Sequence, residues 1–287
     1  MLPADAHVHS EFSWDSGSDP ASPGRMVRTC ERAVRIGLPA LVFTEHLDLE
    51  PQWRVDPGDM GEHAESLVDD DGLVRLPPFD LAGWLDAIER CRAAFPELHV
   101  MTGVEFGQPH LWDAQAADVL GSGMIDRVNG SLHMLPIGLD GASGGDRTEP
   151  VTLYRHHDPD AVMWAYLEEI PRMVAGSDRF AVFTHIDYAV RAWPTDAVGP
   201  FDPRRFEEGF RGAMRALAAS GRALEMNTRR LWSWVPEWWS EEGGRAVSFG
   251  SDAHVPEALA ANFPEATAML EHYGFRAGSR PEDFWTR

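Results

Sequence analysis

Seven short apolar runs recur along this chain, most of them closing on a histidine or a carboxylate, and longer segments of helical periodicity separate them. The runs predict strands over 2–7, 40–44, 99–105, 126–132, 179–185, 222–226 and 246–250. The periodic segments predict helices over 24–36, 80–95, 112–120, 160–174, 203–220, 237–242 and 257–272. Strand and helix in strict alternation is the pattern of parallel strands joined by helical crossovers. Asp158-Pro159 and Asp202-Pro203 each place a capping carboxylate before a proline that the first helical turn tolerates. Seven such units in 287 residues predict one α/β domain, a barrel one unit short of the eightfold form, with an open sheet as the alternative. Two connections, 47–78 and 136–158, exceed simple turns and are expected to form the rim of an active site.

In a parallel barrel the carboxyl ends of all strands share one rim, where active sites are built. The residues that this topology sends there are His7, His9, Asp15, His46, Glu105, His133, His185, Asp252 and His254. His7-x-His9 and Asp252-x-His254 put both members of each pair on one face, because strand side chains alternate. A single histidine at a strand end is ordinarily a hydrogen-bonded core residue. Two spaced pairs with five more ligand-type residues at the same end predict more than one metal ion, at three or four protein ligands each. Imidazole with carboxylate suits zinc, manganese or iron. His63, His99, His110 and His272 lack partner spacing and are read as surface or core residues. His156-His157 lies in the second long connection, where it is either solvated or near substrate.

Charge narrows the function further. The chain carries 46 acidic and 25 basic residues, a net charge of −21, and every basic residue is arginine. Schiff-base lysine and P-loop lysine chemistry are therefore excluded. A broad basic face for nucleic acid is not available. Cys30 and Cys91 have no CxxC spacing and read as free thiols, with one disulfide as the alternative. The amino terminus shows no secretion signal and no run is long enough to span a membrane, so a cytoplasmic protein is expected.

The ligand series and its flanks resemble a known family. His9-Ser-Glu-Phe-Ser-Trp-Asp-Ser16, Thr44-Glu-His-Leu-Asp48, Gly103-Val-Glu-Phe-Gly-Gln-Pro109, Gly130-Ser-Leu-His133, His185-Ile-Asp-Tyr188, Leu224-Glu-Met-Asn-Thr228 and Gly250-Ser-Asp-Ala-His254 fall in the order of the PHP (polymerase and histidinol phosphatase) superfamily, in its histidinol-phosphatase-like branch. The resemblance covers essentially the whole chain and implies a single domain, a distorted seven-stranded (β/α)7 TIM-like barrel. It implies three divalent ions: one held by His7, His9, Glu105 and Asp252, a second bridged by Glu105 to His133 and His185, and a third on Asp15, His46 and His254. It implies hydrolysis of a phosphomonoester, L-histidinol phosphate first, by hydroxide that the ions activate. Another small phosphorylated metabolite, such as a nucleoside monophosphate, is the alternative substrate. A catalytically idle metal-binding protein and a polymerase-associated exonuclease are the readings from other classes. Arg191 is the expected phosphate clamp, because a forked, permanent cation beside a ligand strand suits phosphate. Arg155 and Asn227 are further substrate-binding candidates, and Asp187 a candidate general acid. Trp232, Trp234, Trp238 and Trp239 form either core or a wall against the leaving group; a closed acidic wall would favour a substrate amine.

Overall fold

In a computed structural model, residues 2–16, 25–61, 64–139 and 145–287 are described. His63 and the glycines at 141 and 144 lie outside them. The strands of the main sheet are β1 (Asp5–Val8), β2 (Ala40–Leu47), β3 (His99–Gly107), β4 (Arg127–Ser131), β5 (Val182–Phe183), β6 (Ala223–Asn227), β7 (Ala246–Gly250) and β8 (Trp285–Thr286). They form one curled sheet in that order. Seven are parallel, as the alternating pattern predicts; β8 is an addition, pairing antiparallel with β7 at the edge. At the other edge, the backbone of β1 also meets the residues that follow β7. His9 N–H donates to Ala253 O at 2.9 Å, and Asp252 N–H donates to His7 O at 2.8 Å. The two ends of the parallel sheet thus come together just where ligand-type residues lie.

The crossover helices are α1 (Met26–Ile36), α2 (Leu81–Ala94), α3 (Pro150–His156), α4 (Pro159–Gly176), α5 (Glu207–Ser220), α6 (Trp234–Glu241) and α7 (Phe263–His272), with shorter turns between them. Asp158 caps α4 by accepting from Asp160 N and Ala161 N. Asp202 instead caps a 3-10 turn, Pro203–Phe206, that leads into α5. The helix expected over 112–120 is two short turns, Pro109–Trp112 and Ala117–Leu120. Strands β2 and β3 run three and two residues past their expected ends, because continuous pairing carries His46 to Glu105 and Leu47 to Phe106. That register sets His46 beside Glu105 in adjacent strands. β5 is shorter than its apolar run, since only Val182 and Phe183 pair with both neighbours.

Between sheet and helices lies one large apolar core, including Phe43, Trp84, Tyr166, Phe183, Phe210, Trp238 and Trp239. Cys30 and Cys91 are free and buried in it. A smaller cluster of Trp53, Val55, Met60, Val74 and Met134 ties the first long connection to the end of β4. The two long connections also pair with each other: Arg54 N–H donates to Arg147 O, and Arg147 N–H to Gln52 O. No helix among the described residues is long and apolar enough to cross a membrane.

Candidate metal centre

The nine predicted ligand residues meet at the carboxyl ends of the parallel strands. Glu105, at the end of β3, is the centre of the arrangement. Its Oε2 lies 3.2 Å from His7 Nε2, 3.4 Å from His9 Nε2 and 3.1 Å from His46 Nδ1. Its Oε1 lies 3.1 Å from His133 Nε2 and 2.6 Å from His185 Nε2. One carboxylate therefore turns one oxygen to each of two nests of imidazole nitrogen. Asp252 Oδ1 adds a second oxygen to the first nest, 3.5 Å from His9 Nε2. Asp15 Oδ2 reaches His254 Nε2 at 2.8 Å and His46 Nε2 at 3.4 Å, which makes a third. The groups of three that could hold an ion include His7, His9, Glu105, then Glu105, His133, His185, and then His9, His46, His254.

Hydrogen bonding around these residues tests whether they suit a cation. His7 Nδ1 is 2.6 Å from Glu225 Oε2, so an N–H there donates to the carboxylate. Ser13 Oγ already donates to Glu45 Oε2, so it accepts from His9 Nδ1–H at 2.9 Å. With their Nδ1 atoms so engaged, both imidazoles turn Nε2 toward Glu105 Oε2, only 3.1 Å from each other; burial pushes His7 down, but Glu225, Glu105 and Asp252 outweigh it and hold this imidazole well above its ordinary value. A divalent cation can take the place of the proton between them, and an imidazole held at its other nitrogen by a carboxylate is the usual support for a metal ligand. Glu105 Oε2, His46 Nδ1, His185 Nδ1 and Asp15 Oδ1 are buried without a hydrogen bond among the described residues. Imidazole and carboxylate that are close but misaligned for hydrogen bonding fit a metal.

Electrostatics keeps the carboxylates ionised, as ligands must be. Burial pushes Glu105 up, but His7, His133, His46 and His185 overcome it and hold the group well below the ordinary range. Asp252 is likewise held well below its usual value against burial, chiefly by Arg191 and His7. His9 is driven down to about 3 by burial and by His254 and His46, so its imidazole is neutral.

Two glycines make room for this floor. A Cβ on Gly250 would lie 2.6 Å from both Glu225 Oε2 and His7 Cβ, and one on Gly107 would strike Asp48 Oδ1. Asp252 adopts φ 55, a left-handed conformation that side chains rarely take. Such strain concentrates at functional sites.

Arg191 also comes to the centre. Its Nη1 is 2.8 Å from Asp252 Oδ2, while its Nε and Nη2 are buried without a hydrogen bond among the described residues. Asp187 is buried and accepts from Trp232 Nε1 at 2.9 Å. Asn227 turns inward, donating to Glu225 Oε1 at 2.9 Å and accepting from Arg229 N–H, so its side chain braces a carboxylate. Arg155 is half-exposed in α3 and ion-paired with Asp59 of the other long connection. The tryptophans divide: Trp234 and Trp238 lie tilted against Phe210 in the core, Trp239 donates to Ala246 O, and Trp232 lines a narrow cleft with His185, Asp187 and Asn227. His110 is paired with Glu169, His99 and His272 are exposed, and His156 pairs with Asp56 on the rim.

Sequence reasoning missed Asp48 and Glu225 as parts of the site. Asp48 Oδ1 is 3.1 Å from His133 Nδ1, and its Oδ2 is 3.5 Å from His46 Nδ1. Each stands two positions from a residue already singled out, Asp48 after His46 and Glu225 before Asn227, and that same-face spacing is the signal that would have found them.

With this geometry in place, comparison with known proteins agrees with it. The PHP domain family matches residues 5–229, and the chain belongs to it. A histidinol-phosphatase of Lactococcus lactis is 25% identical over 96% of this chain and 93% of its own length. A "Probable histidinol-phosphatase" of Clostridium acetobutylicum is 24% identical, over 93% of this chain and 92% of its own. The crystal structure of the Lactococcus lactis histidinol phosphate phosphatase, complexed with zinc, L-histidinol and phosphate, superposes with a TM-score of 0.71 at 22% identity, covering 96% of this chain and 95% of that one.

Proposed function

We propose that the protein is a metal-dependent phosphomonoesterase that hydrolyses L-histidinol phosphate to L-histidinol and phosphate. The observation that carries the chemistry is Glu105, with its two oxygens divided between two sets of histidine nitrogens. The substrate follows from relatives that match over nearly their full lengths. Three divalent ions would be held as the resemblance implies, with Asp48 and Glu225 fixing the imidazoles from behind. Zinc is the first choice, as in the relative's complex, although manganese or iron suits the same donors. The whole chain is read as one domain, a distorted barrel of seven parallel strands, supported by the β1 to Ala253 contacts, and as a cytoplasmic protein.

When bound, the ions offset the charge of the phosphate dianion and lower the pKa of water enough to supply a nucleophile. The chain's own residues do the rest. Arg191, fixed at Nη1 by Asp252, has Nε and Nη2 left to grip phosphate oxygens in a fork. Asp187, held by Trp232, would deliver a proton to the leaving alcohol oxygen. Asn227 keeps Glu225 on His7 and is a positioning residue. Arg155 would first have to leave Asp59 to reach a phosphate.

Purified, metal-loaded protein is expected to release phosphate from L-histidinol phosphate at least ~10-fold faster than from nucleoside monophosphates or sugar phosphates. Equal rates across that panel, or preference for another ester, would overturn the substrate.

A further inference from the structure

The carboxylates at the ligand end can be sorted by what neutralises them. Glu105, Asp252 and Asp15 face imidazoles that would share metal ions, and Asp252 also has Arg191. Asp48 faces His133 and His46, and Glu225 faces His7. Asp187 feels Arg191 and takes the Trp232 indole N–H. Glu45 carries no cation but is saturated, with hydrogen bonds from Ser10 N, Ser10 Oγ and Ser13 Oγ, and it is closed off from solvent. Glu149 is different. Among the described residues its one side-chain hydrogen bond is from a neutral group, the Tyr188 hydroxyl, at 2.6 Å, and it has no ion pair. Burial raises its pKa, and it is near enough to His133, Asp48 and His46 to feel their charges.

Its position is fixed from two sides. Glu149 is the residue before Pro150, which opens α3 in the second long connection. Its partner Tyr188 lies with its ring centroid 4.8 Å from that of His133 and 5.1 Å from that of His185, with the Arg191 guanidinium 5.4 Å from the ring. A partly buried negative charge therefore stands beside the second set of ligands and the proposed phosphate clamp. A carboxylate out of water is costly without a cationic partner. A substrate ammonium would supply one, while its phosphate sits on the ions.

We propose that Glu149, held by Tyr188, is the specificity-determining residue that recognises a primary ammonium on the alcohol part of the phosphomonoester. This rests on the phosphatase reading above and adds a residue and a substrate class to it. The ion pair selects amino-alcohol phosphates over esters of the same size without the amine.

The test compares matched esters near pH 8: L-histidinol phosphate with 3-(imidazol-4-yl)propyl phosphate, and O-phosphoethanolamine with propyl phosphate. For the wild type, kcat/KM should favour the amine of each pair. In Glu149→Gln, which can still accept the Tyr188 hydrogen bond, that preference should collapse by about tenfold or more, mainly through KM. Glu149→Asp, which keeps the charge but draws it back, should retain a preference between the two. Tyr188→Phe should keep the preference whatever happens to kcat. Equal losses of both esters in Glu149→Gln, a preference that survives in it, or no amine preference in the wild type would overturn the proposal. The small pair separates the two failures: if L-histidinol phosphate is not the favoured ester of the wider panel but Glu149→Gln still erases the amine preference, only the named substrate fails.

Discussion

The floor of the site and its wall are held by different forces. On the floor, His7, His9, Glu105, His133 and His185 project from or just beyond strand ends, nearly all removed from solvent, and each carboxylate there is matched to imidazole or arginine. On the wall, made by the two long connections and α3, the pairs are Arg54 with Asp146, Arg155 with Asp59 and His156 with Asp56, and most of these groups are open to water. Charges buried together are strongly interdependent, so removing one exposes the rest. Exposed pairs are weak, screened by salt and individually replaceable. The contrast teaches that reaction chemistry belongs to a floor that tolerates little, and that a wall of separable contacts can be altered to suit the alcohol part of a substrate.

The largest effect should come from the floor's central residue. Glu105→Gln keeps the shape but removes the charge that both sets of histidines share. Phosphate release from L-histidinol phosphate is expected to fall by about 10³-fold or more, with less metal retained after dialysis and circular dichroism near that of the wild type. Full activity with full metal content would break the distinction between floor and wall at its strongest point. Next comes Gly250→Ala. The added methyl would lie 2.6 Å from Glu225 Oε2 and His7 Cβ, two groups that cannot both yield without breaking their own contact. Overpacking of this kind should lower the unfolding free energy by about 1–3 kcal/mol, read from urea denaturation of the metal-free protein.

The floor was largely legible in the sequence, and the reason is physical. Strand alternation places His7 with His9, and parallel topology places the ends of separate strands together, so spacing alone gathers the nine residues. Register was harder: the pairing of His46 with Glu105 depends on strands that continue past their apolar runs. Asp48 and Glu225 lay within motifs already singled out, yet a carboxylate that supports an imidazole carries no different pattern from one that binds an ion. The wall was nearly illegible. Glu149 meets Tyr188 across 39 positions, and Arg155 meets Asp59 across two irregular connections, with no periodicity to relate them. The two-residue strand β8 exists only because the β7 edge offers it partners, which its own sequence does not announce.

One step out from the proposed ligands, Glu225 sharpens the comparison. It holds His7 Nδ1 at 2.6 Å and also accepts from His185 N–H at 3.2 Å, so it supports two of the proposed ligands from behind. Glu225→Gln keeps room for both contacts but turns the charged acceptor at His7 into a neutral one. Metal affinity is expected to drop by about 10–100-fold, measured by competition with a chelator, and activity should return at high metal concentration. Loss that excess metal does not restore would place Glu225 among the ligands proper.

The smallest effect is expected on the wall. His156 lies in α3, more than half exposed at 57%, and its Nε2 is 2.7 Å from Asp56 Oδ2. His156→Asn removes this pair while keeping a polar group at the rim. Stability should change by less than about 1 kcal/mol, because water replaces an exposed partner at little cost, and the difference should shrink further in high salt. Turnover of L-histidinol phosphate should stay within about twofold, since no ligand residue depends on this contact. The urea denaturation used for Gly250→Ala and the phosphate-release assay used for Glu105→Gln serve here. If His156→Asn cost as much as the Gly250 substitution, the wall would be coupled to the floor through α3, and Glu149 at the head of that helix would be the first place to look for the coupling.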